Sequence, residues 1–174
     1  ADVTAATTIY AVPYRGTRIA LYSSTGIATV YTSAQFSIAV PATTAQMYDI
    51  FAYSNAGVPT LELLAWTNDR TRATAIVRTT TGTYTKSGDL TRRYMGSFRT
   101  TAVSGQTEDS VIKRFLWNYY HRVMRPMRRL ETTSSWTYTT ATYRQANGAA
   151  ANQLDMVVGV AEDAISVTVQ AYSA

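Results

Sequence analysis

Residues able to do acid–base, nucleophilic or metal chemistry are sparse in this chain. There is one His, His121, and no Cys. A nucleophilic triad needs a nucleophile, a base and an orienting carboxylate brought together, so His121 would have to be the base. No G-x-S-x-G turn is present to offer a serine. His121 lies between Tyr120 and Arg122, the setting of a surface or interface side chain. Metal binding would fall to carboxylates alone, and neither a metal nor an organic cofactor is expected. A disulfide framework is excluded outright.

Two carboxylate pairs, Glu108-Asp109 and Glu162-Asp163, are the only places where glycosidase-type acid and base groups sit close in sequence. Both have a Gly/Ser/Thr-rich or turn-like context that suits solvated turn residues better, and no catalytic residue is assigned. The cluster Arg114, Arg122, Arg125, Arg128 and Arg129 would need one face and stacking aromatics to follow a nucleic-acid backbone. On a strand Arg114, Arg122 and Arg128 share one parity and Arg125 and Arg129 the other, so salt bridges or subunit contacts are the better reading. Anionic surface glycan or lipopolysaccharide is the minority alternative, with no glycan contact residue assignable. Trp66, Trp117, Trp136, Tyr119, Tyr120, Tyr138 and Tyr143 read mainly as core, although Tyr on loops and strand faces also suits a sugar- or protein-binding surface.

Most of these groups come from one dense stretch, Thr107–Glu131, and two periodicities fit it. As a helix, Ile112, Phe115, Leu116, Tyr119 and Val123 fall at i, i+3, i+4, i+7 and i+11, with Thr107 or Ser110 as cap and Pro126 as stop. As a strand, Val111, Phe115, Trp117, Tyr119 and Val123 oppose Ile112, Arg114, Leu116, Asn118 and Tyr120. Aromatic and β-branched content favours the strand, and a helical turn over Glu108–Lys113 leading into it would reconcile both patterns.

The rest of the chain is dilute and β-like. At 174 residues it fits one domain, and only 16% of residues are charged, as on strand faces that carry hydroxyls. The net charge of +5 comes almost wholly from Arg, the only Lys being Lys86 and Lys113. Arg suits planar, paired contacts at packed surfaces, so nucleic acid is an unlikely partner. No apolar run is long enough to span a bilayer and no signal peptide is evident. The chain begins at Ala1 without Met, as expected of a processed or excised part of a longer protein.

Short strands separated by turn signals recur about every ten residues. They are expected at Thr8–Val12, Thr17–Tyr22, Ile27–Tyr31, Gln35–Val40, Tyr48–Tyr53 and Thr60–Trp66. Ser54–Pro59 should form a hairpin loop long enough for a bulge. Thr67–Thr81 reads as a loop with a helical turn at Thr71–Ile76. A short strand and turn follow over Gly82–Asp89, and Arg92–Thr101 is a strand with Gly96 at a bulge. Trp136–Arg144, Gln153–Val160 and Ala164–Tyr172 complete the strands, with a turn at Asn147-Gly148. The predicted fold is an all-β, jelly-roll-like antiparallel sandwich with at most one or two short helical segments, as a single domain over 1–174.

Several strings in order carry a resemblance: RRYMGSFRTT, TEDS, KRFLWNYYHRV, RPM, ETTSSWTYTTATYRQANG and NQLDMVVGVAED, preceded by TRIALYSSTGIATV and YDIFAYSNAGVPTLELLAWTND. Their order and spacing resemble a domain frequent in tailed bacteriophages and prophages. That domain is found toward the C-terminus of longer tail-fibre, head-fibre or unassigned virion structural proteins. His121 stands where the usual pattern has Asn. The resemblance implies a place in the virus particle, assembled in the host cytoplasm among other virion proteins, and contact with the host surface. It brings no catalytic residues.

The composition independently points to a homo-oligomer, because long Thr/Ala/Tyr strand faces are too polar for a core and poorly charged for an isolated surface. Open strand edges invite pairing as well. The resemblance selects three-fold symmetry by analogy. The candidate interface is Arg114, Trp117, Tyr119, Tyr120, His121, Arg122, Arg125, Arg128 and Arg129, with Asp109, Glu131 and Glu162 as carboxylates for Arg to pair with across it. A non-enzymatic fibre or decoration module is the expected function. The alternatives are a carbohydrate-binding module and a glycan-degrading domain.

Overall fold

The structure, a computed structural model, describes residues 2–162 and 164–168. Among the described residues there is no α-helix, and the one helical feature is a 3-10 turn at Ala146–Gly148. The fold is all-β and sandwich-like. Strands β1 (Val3–Ala6), β2 (Thr8–Ala11), β3 (Arg18–Tyr22), β4 (Ala28–Thr32) and β5 (Phe36–Ala39) come first. The long hairpin β6 (Met47–Asn55) and β7 (Val58–Asn68) follows. Next come β8 (Thr71–Arg72), β9 (Ile76–Arg78), β10 (Tyr84–Lys86) and β11 (Asp89–Arg99). The last strands are β12 (Thr107–Asp109), β13 (Lys113–Arg114), β14 (Leu116–Asn118) and β15 (Asp155–Met156).

A central sheet runs β8-β7-β6-β11-β10-β9, with β14 also paired to β11. The β6–β7 turn is tighter than the sequence suggested: Asn55 pairs with Val58, leaving only Ala56 and Gly57 unpaired. Both have positive φ, 48° and 89°, which is the two-residue geometry whose twist matches the flanking strands. No bulge is needed there. The bulge expected at Gly96 does form, since Tyr94 pairs with Phe51 and Gly96 with Ile50, leaving Met95 extra. It coincides with a change of neighbour along the other edge of β11, where β10 meets Asp89–Arg93 and β14 meets Gly96–Phe98.

Alternation along β6 defines two cores. Tyr48, Ile50 and Ala52 face Ile9, Leu21 and Val40, with Leu61 and Phe98 completing the cluster. The small sheets β2–β5 and β3–β4 cover this face. Phe98 is fully buried and stacks on Tyr48 at 5.3 Å; burying such a side chain is worth roughly 1.5–3 kcal/mol. Met47, Asp49 and Phe51 point the other way. There Met47, Trp66, Phe115 and Val157 form the second apolar cluster, with Trp117 packed on it. Phe115 and Val157 reach this face from just beyond β13 and β15 of the sheet β1-β12-β13-β15, in which β13–β15 is a parallel pair.

Several expectations need correction. Thr71–Ile76 is not a helical turn: Thr71 and Arg72 pair with β7, and Ile76 starts β9. Glu108–Lys113 is not a helical turn either. It is a tight β12–β13 connection closed by the Ser110 N–H on the Lys113 carbonyl at 2.7 Å. The strand over Val111–Val123 exists only as β13 and β14. Beyond Asn118 its side-chain oxygen accepts from the N–H groups of Tyr120 and His121 at 2.9 and 3.2 Å, an alternative to the ladder that ends the strand. Trp136–Arg144 forms no strand and pairs with none of the described strands. Gln153–Val160 shortens to β15. Residues 164–168 form no strand, and the remainder of the expected Ala164–Tyr172 strand lies outside the described residues. Asn147-Gly148 does turn the chain, with both residues at positive φ.

Candidate functional site

The second face of the central sheet holds the chain's most constrained polar chemistry. Asp49 lies in an otherwise apolar strand and is 1% exposed. Because a buried carboxylate must be paired and hydrogen-bonded, its surroundings are fully specified. Arg72 Nε donates to Oδ2 at 2.8 Å and Ser97 Oγ to Oδ1 at 2.7 Å. With its proton on Asp49, Ser97 accepts from the Tyr94 hydroxyl at 2.6 Å. A second Arg72 nitrogen approaches the Tyr94 oxygen at 3.5 Å and closes the ring. Burial pushes the Tyr94 phenol well above its ordinary value, so it remains a donor. The bulge makes this possible, because the extra residue brings Tyr94 and Ser97 to the same face of β11. Arg72 also lies over the Trp66 ring at 4.3 Å.

This network fastens the chain at Gly159. Arg72 donates to the carbonyl of Gly159, and Val157 enters the second apolar cluster. A Cβ on Gly159 would overlap both the Tyr94 hydroxyl and the Trp117 ring, and one on Gly96 would overlap the Trp117 carbonyl. Two glycines thus let the chain close on Trp117 from two sides. Farther on, Glu162 accepts from Tyr84 and from Arg122, both at 2.8 Å. These bonds hold the Glu162 carboxyl below its usual range and raise the Tyr84 phenol.

The predicted interface residues separate into distinct environments. Trp117 and Tyr119 are partly buried: Tyr119 meets Tyr84 and Tyr120 edge-on at 5.3 and 5.1 Å, and Trp117 lies 6.3 Å from Tyr94. Arg122 covers Tyr119 at 4.7 Å. Tyr120 is exposed, with Arg93 donating to its hydroxyl at 2.9 Å. His121 is exposed against Tyr14, ring centroids 4.6 Å apart. Arg114 and Arg125 converge on Asp109 despite their opposite parity, because the chain has left the strand before reaching Arg125. Arg129 donates to Asn152 at 2.9 Å. Arg128 is exposed, and only its backbone is tied, to Val111 at 3.0 Å.

Asp109 and Glu162, expected to meet Arg across an interface, are therefore paired within the chain, and Glu131 is bonded to Thr133 and Asn152 rather than to an Arg. Glu108 bonds Ser110 at 2.8 Å and Lys113 at 3.4 Å, so neither member of the Glu108-Asp109 pair is a free acid or base. Asp163 lies outside the described residues. Among the described residues no group of three or more His, Cys, Asp and Glu is placed to hold a metal, and no helix is long and apolar enough to cross a membrane.

Between Glu131 and Asn152 the chain makes a long excursion whose base is closed by the bond between their side chains. It is rich in Thr and Ser and exposes Trp136 and Tyr138, with Tyr143 fully so. Arg144 covers the Tyr138 ring at 4.4 Å. Loops of such length in compact domains are uncommon and belong either to functional loops or to linker segments; this one holds only the 3-10 turn at Ala146–Gly148.

Sequence reasoning passed over Asp49, Arg72, Tyr94 and Ser97. The available signal was the position of Asp49 within Tyr48-Asp49-Ile50-Phe51-Ala52, where a carboxylate among apolar residues requires a cation and donors. No family model, curated protein or solved structure matches this chain.

Proposed function

We propose that the chain is a non-enzymatic structural module of a bacteriophage particle that works as a homo-oligomer, a trimer by analogy with the fibre proteins it resembles, and that contacts other virion proteins or the host surface. The observation that carries self-association is the state of the chain after β14. From Tyr119 to Asn152 it forms no strand, and it exposes Val123 at 53%, Met124 at 97%, Leu130 at 58% and Tyr143 at 106%. Apolar side chains left open along one segment support an interaction surface there. Sedimentation of the full chain at micromolar concentration is expected to give a mass of three copies; a stable 19.1 kDa monomer overturns the reading.

A carbohydrate-binding role is the second reading, and the 132–151 excursion favours it, because aromatic rings among hydroxyls are the composition of adaptable recognition loops. Glycan-array binding that is lost on Trp136→Ala, with the oligomer intact, would select it.

A further inference from the structure

We propose that the open edge of β15 is a strand-exchange site and that its occupant is the segment 164–168 of a second copy of this chain. The inference rests on the self-association proposed above and names its contact. Among the described residues β15 is paired on one side only, parallel to β13, and a bare sheet edge is a template for another strand. Leu154, Met156 and Val158 form an i, i+2, i+4 row that is 42%, 42% and 37% exposed, while Val157 turns into the core. A solvated edge strand normally protects itself with charge or proline; the one charge here, Asp155, has the parity of Val157, and the alternate positions present an apolar row. Beneath it lies a groove of about 530 Å³ lined by Met47, Trp66 and Phe115, by the ion pair Asp69–Arg99 and by residues 153–158. Trp66 is 8% exposed, and its indole N–H is buried without a hydrogen-bond partner. Buried donors in assembled proteins are almost always satisfied.

The same chain carries a segment of matching character. Ala164-Ile165-Ser166-Val167-Thr168 alternates as a half-buried strand does, yet it forms no strand and leaves Ile165 56% and Val167 77% exposed. It does not return to β15 of its own chain. Arg72 holds the Gly159 carbonyl, and Tyr84 of β10 with Arg122 holds Glu162. The chain is therefore led from β15 toward the edge of the central sheet. Ala164 is two residues past Glu162, a reach of at most about 7 Å. Each copy thus has one bare edge and one bare strand-forming segment, and exchange between copies buries both. A head-to-tail exchange of this kind closes into a ring when the rotation allows.

The chain has no cysteine among its described residues and none in its sequence, which makes disulfide trapping unambiguous. Met156→Cys and Val167→Cys, on copies carrying tags of different size, are to be co-expressed and oxidised. A disulfide joining the two tagged copies is expected, with covalent oligomers from the double variant. Met156→Lys should lower the sedimenting mass to that of the monomer while the β circular dichroism spectrum stays unchanged. A cross-link found only within one chain, or none at all in a sample that still sediments as an oligomer, overturns the exchange and leaves self-association standing. A monomer for the unmodified chain overturns both.

Discussion

Strand β6 and the segment 119–131 draw on similar residues, MYDIFAY in one and YYHRVMRPM in the other. In β6 every residue from Met47 to Ala52 is buried, because β7 and β11 pair both edges, the small sheets β2–β5 and β3–β4 cover one face, and Phe115, Val157 and Arg72 pack on the other. In 119–131 nearly every residue is exposed. Among the described residues its backbone is tied to the fold at few points: Tyr119 to Met95, Arg128 to Val111, and Pro126, whose carbonyl accepts from Arg114. The difference lies in available partners. A strand-like pattern becomes a strand only where an edge and a cover exist, and β14 uses the last stretch of β11's edge. The first region is therefore held by long-range burial and the second by individual charge-assisted contacts.

The sharpest way to test that contrast is to remove one carboxylate from each region. Asp49→Ala leaves Arg72 and Ser97 without their shared partner in the interior, and breaking a buried pair in this way costs about 3–5 kcal/mol. Urea unfolding should show the loss as a lowered midpoint for the whole protein. Glu162→Ala removes an exposed, solvent-screened pair that contributes little to global stability. It should leave the global midpoint nearly unmoved while amide exchange rises at residues 119–122 and 160–162. Equal effects from the two substitutions would erase the distinction.

Gly159→Ala should give an intermediate result. The added methyl has no room beside Tyr94 and Trp117, and overpacking of this kind costs about 1–3 kcal/mol. The expected outcome is release of residues 155–162, seen as new protease cleavage there, with the central sheet still folded. Cleavage confined to 132–151, as expected of the unaltered chain, would show that Gly159 does not fasten the segment.

The smallest expected effect is a pH dependence at the base of the 132–151 excursion. Hydrogen bonds from Thr133 and Asn152 hold the Glu131 carboxyl down to about 2, against an ordinary 4.5. A depressed folded-state value stabilises fully above the unfolded value and is lost as pH falls through the folded one. Closure should therefore be intact above about pH 4.5 and weaken toward pH 2. Pepsin cleavage within the excursion, as a ratio to that of Glu131→Gln, should rise toward 1 as the pH falls. A ratio that stays constant would mean the bond does not hold the loop.

The sequence by itself determined the all-β class, most strands before Thr101, the bulge at Gly96 and the inward parity shared by Phe115 and Trp117. These follow from alternation and from glycine, which act over a few residues. It did not reveal the Asp49 network, because Asp49, Arg72 and Ser97 are far apart in sequence and meet only when β6, β8 and β11 are in register. Nor did alternation at Trp136–Tyr143 signal that the segment would stay unpaired. Pairing is a property of two segments and burial a property of the layers around them, so tertiary structure alone decided which alternating stretches became strands and which stayed exposed.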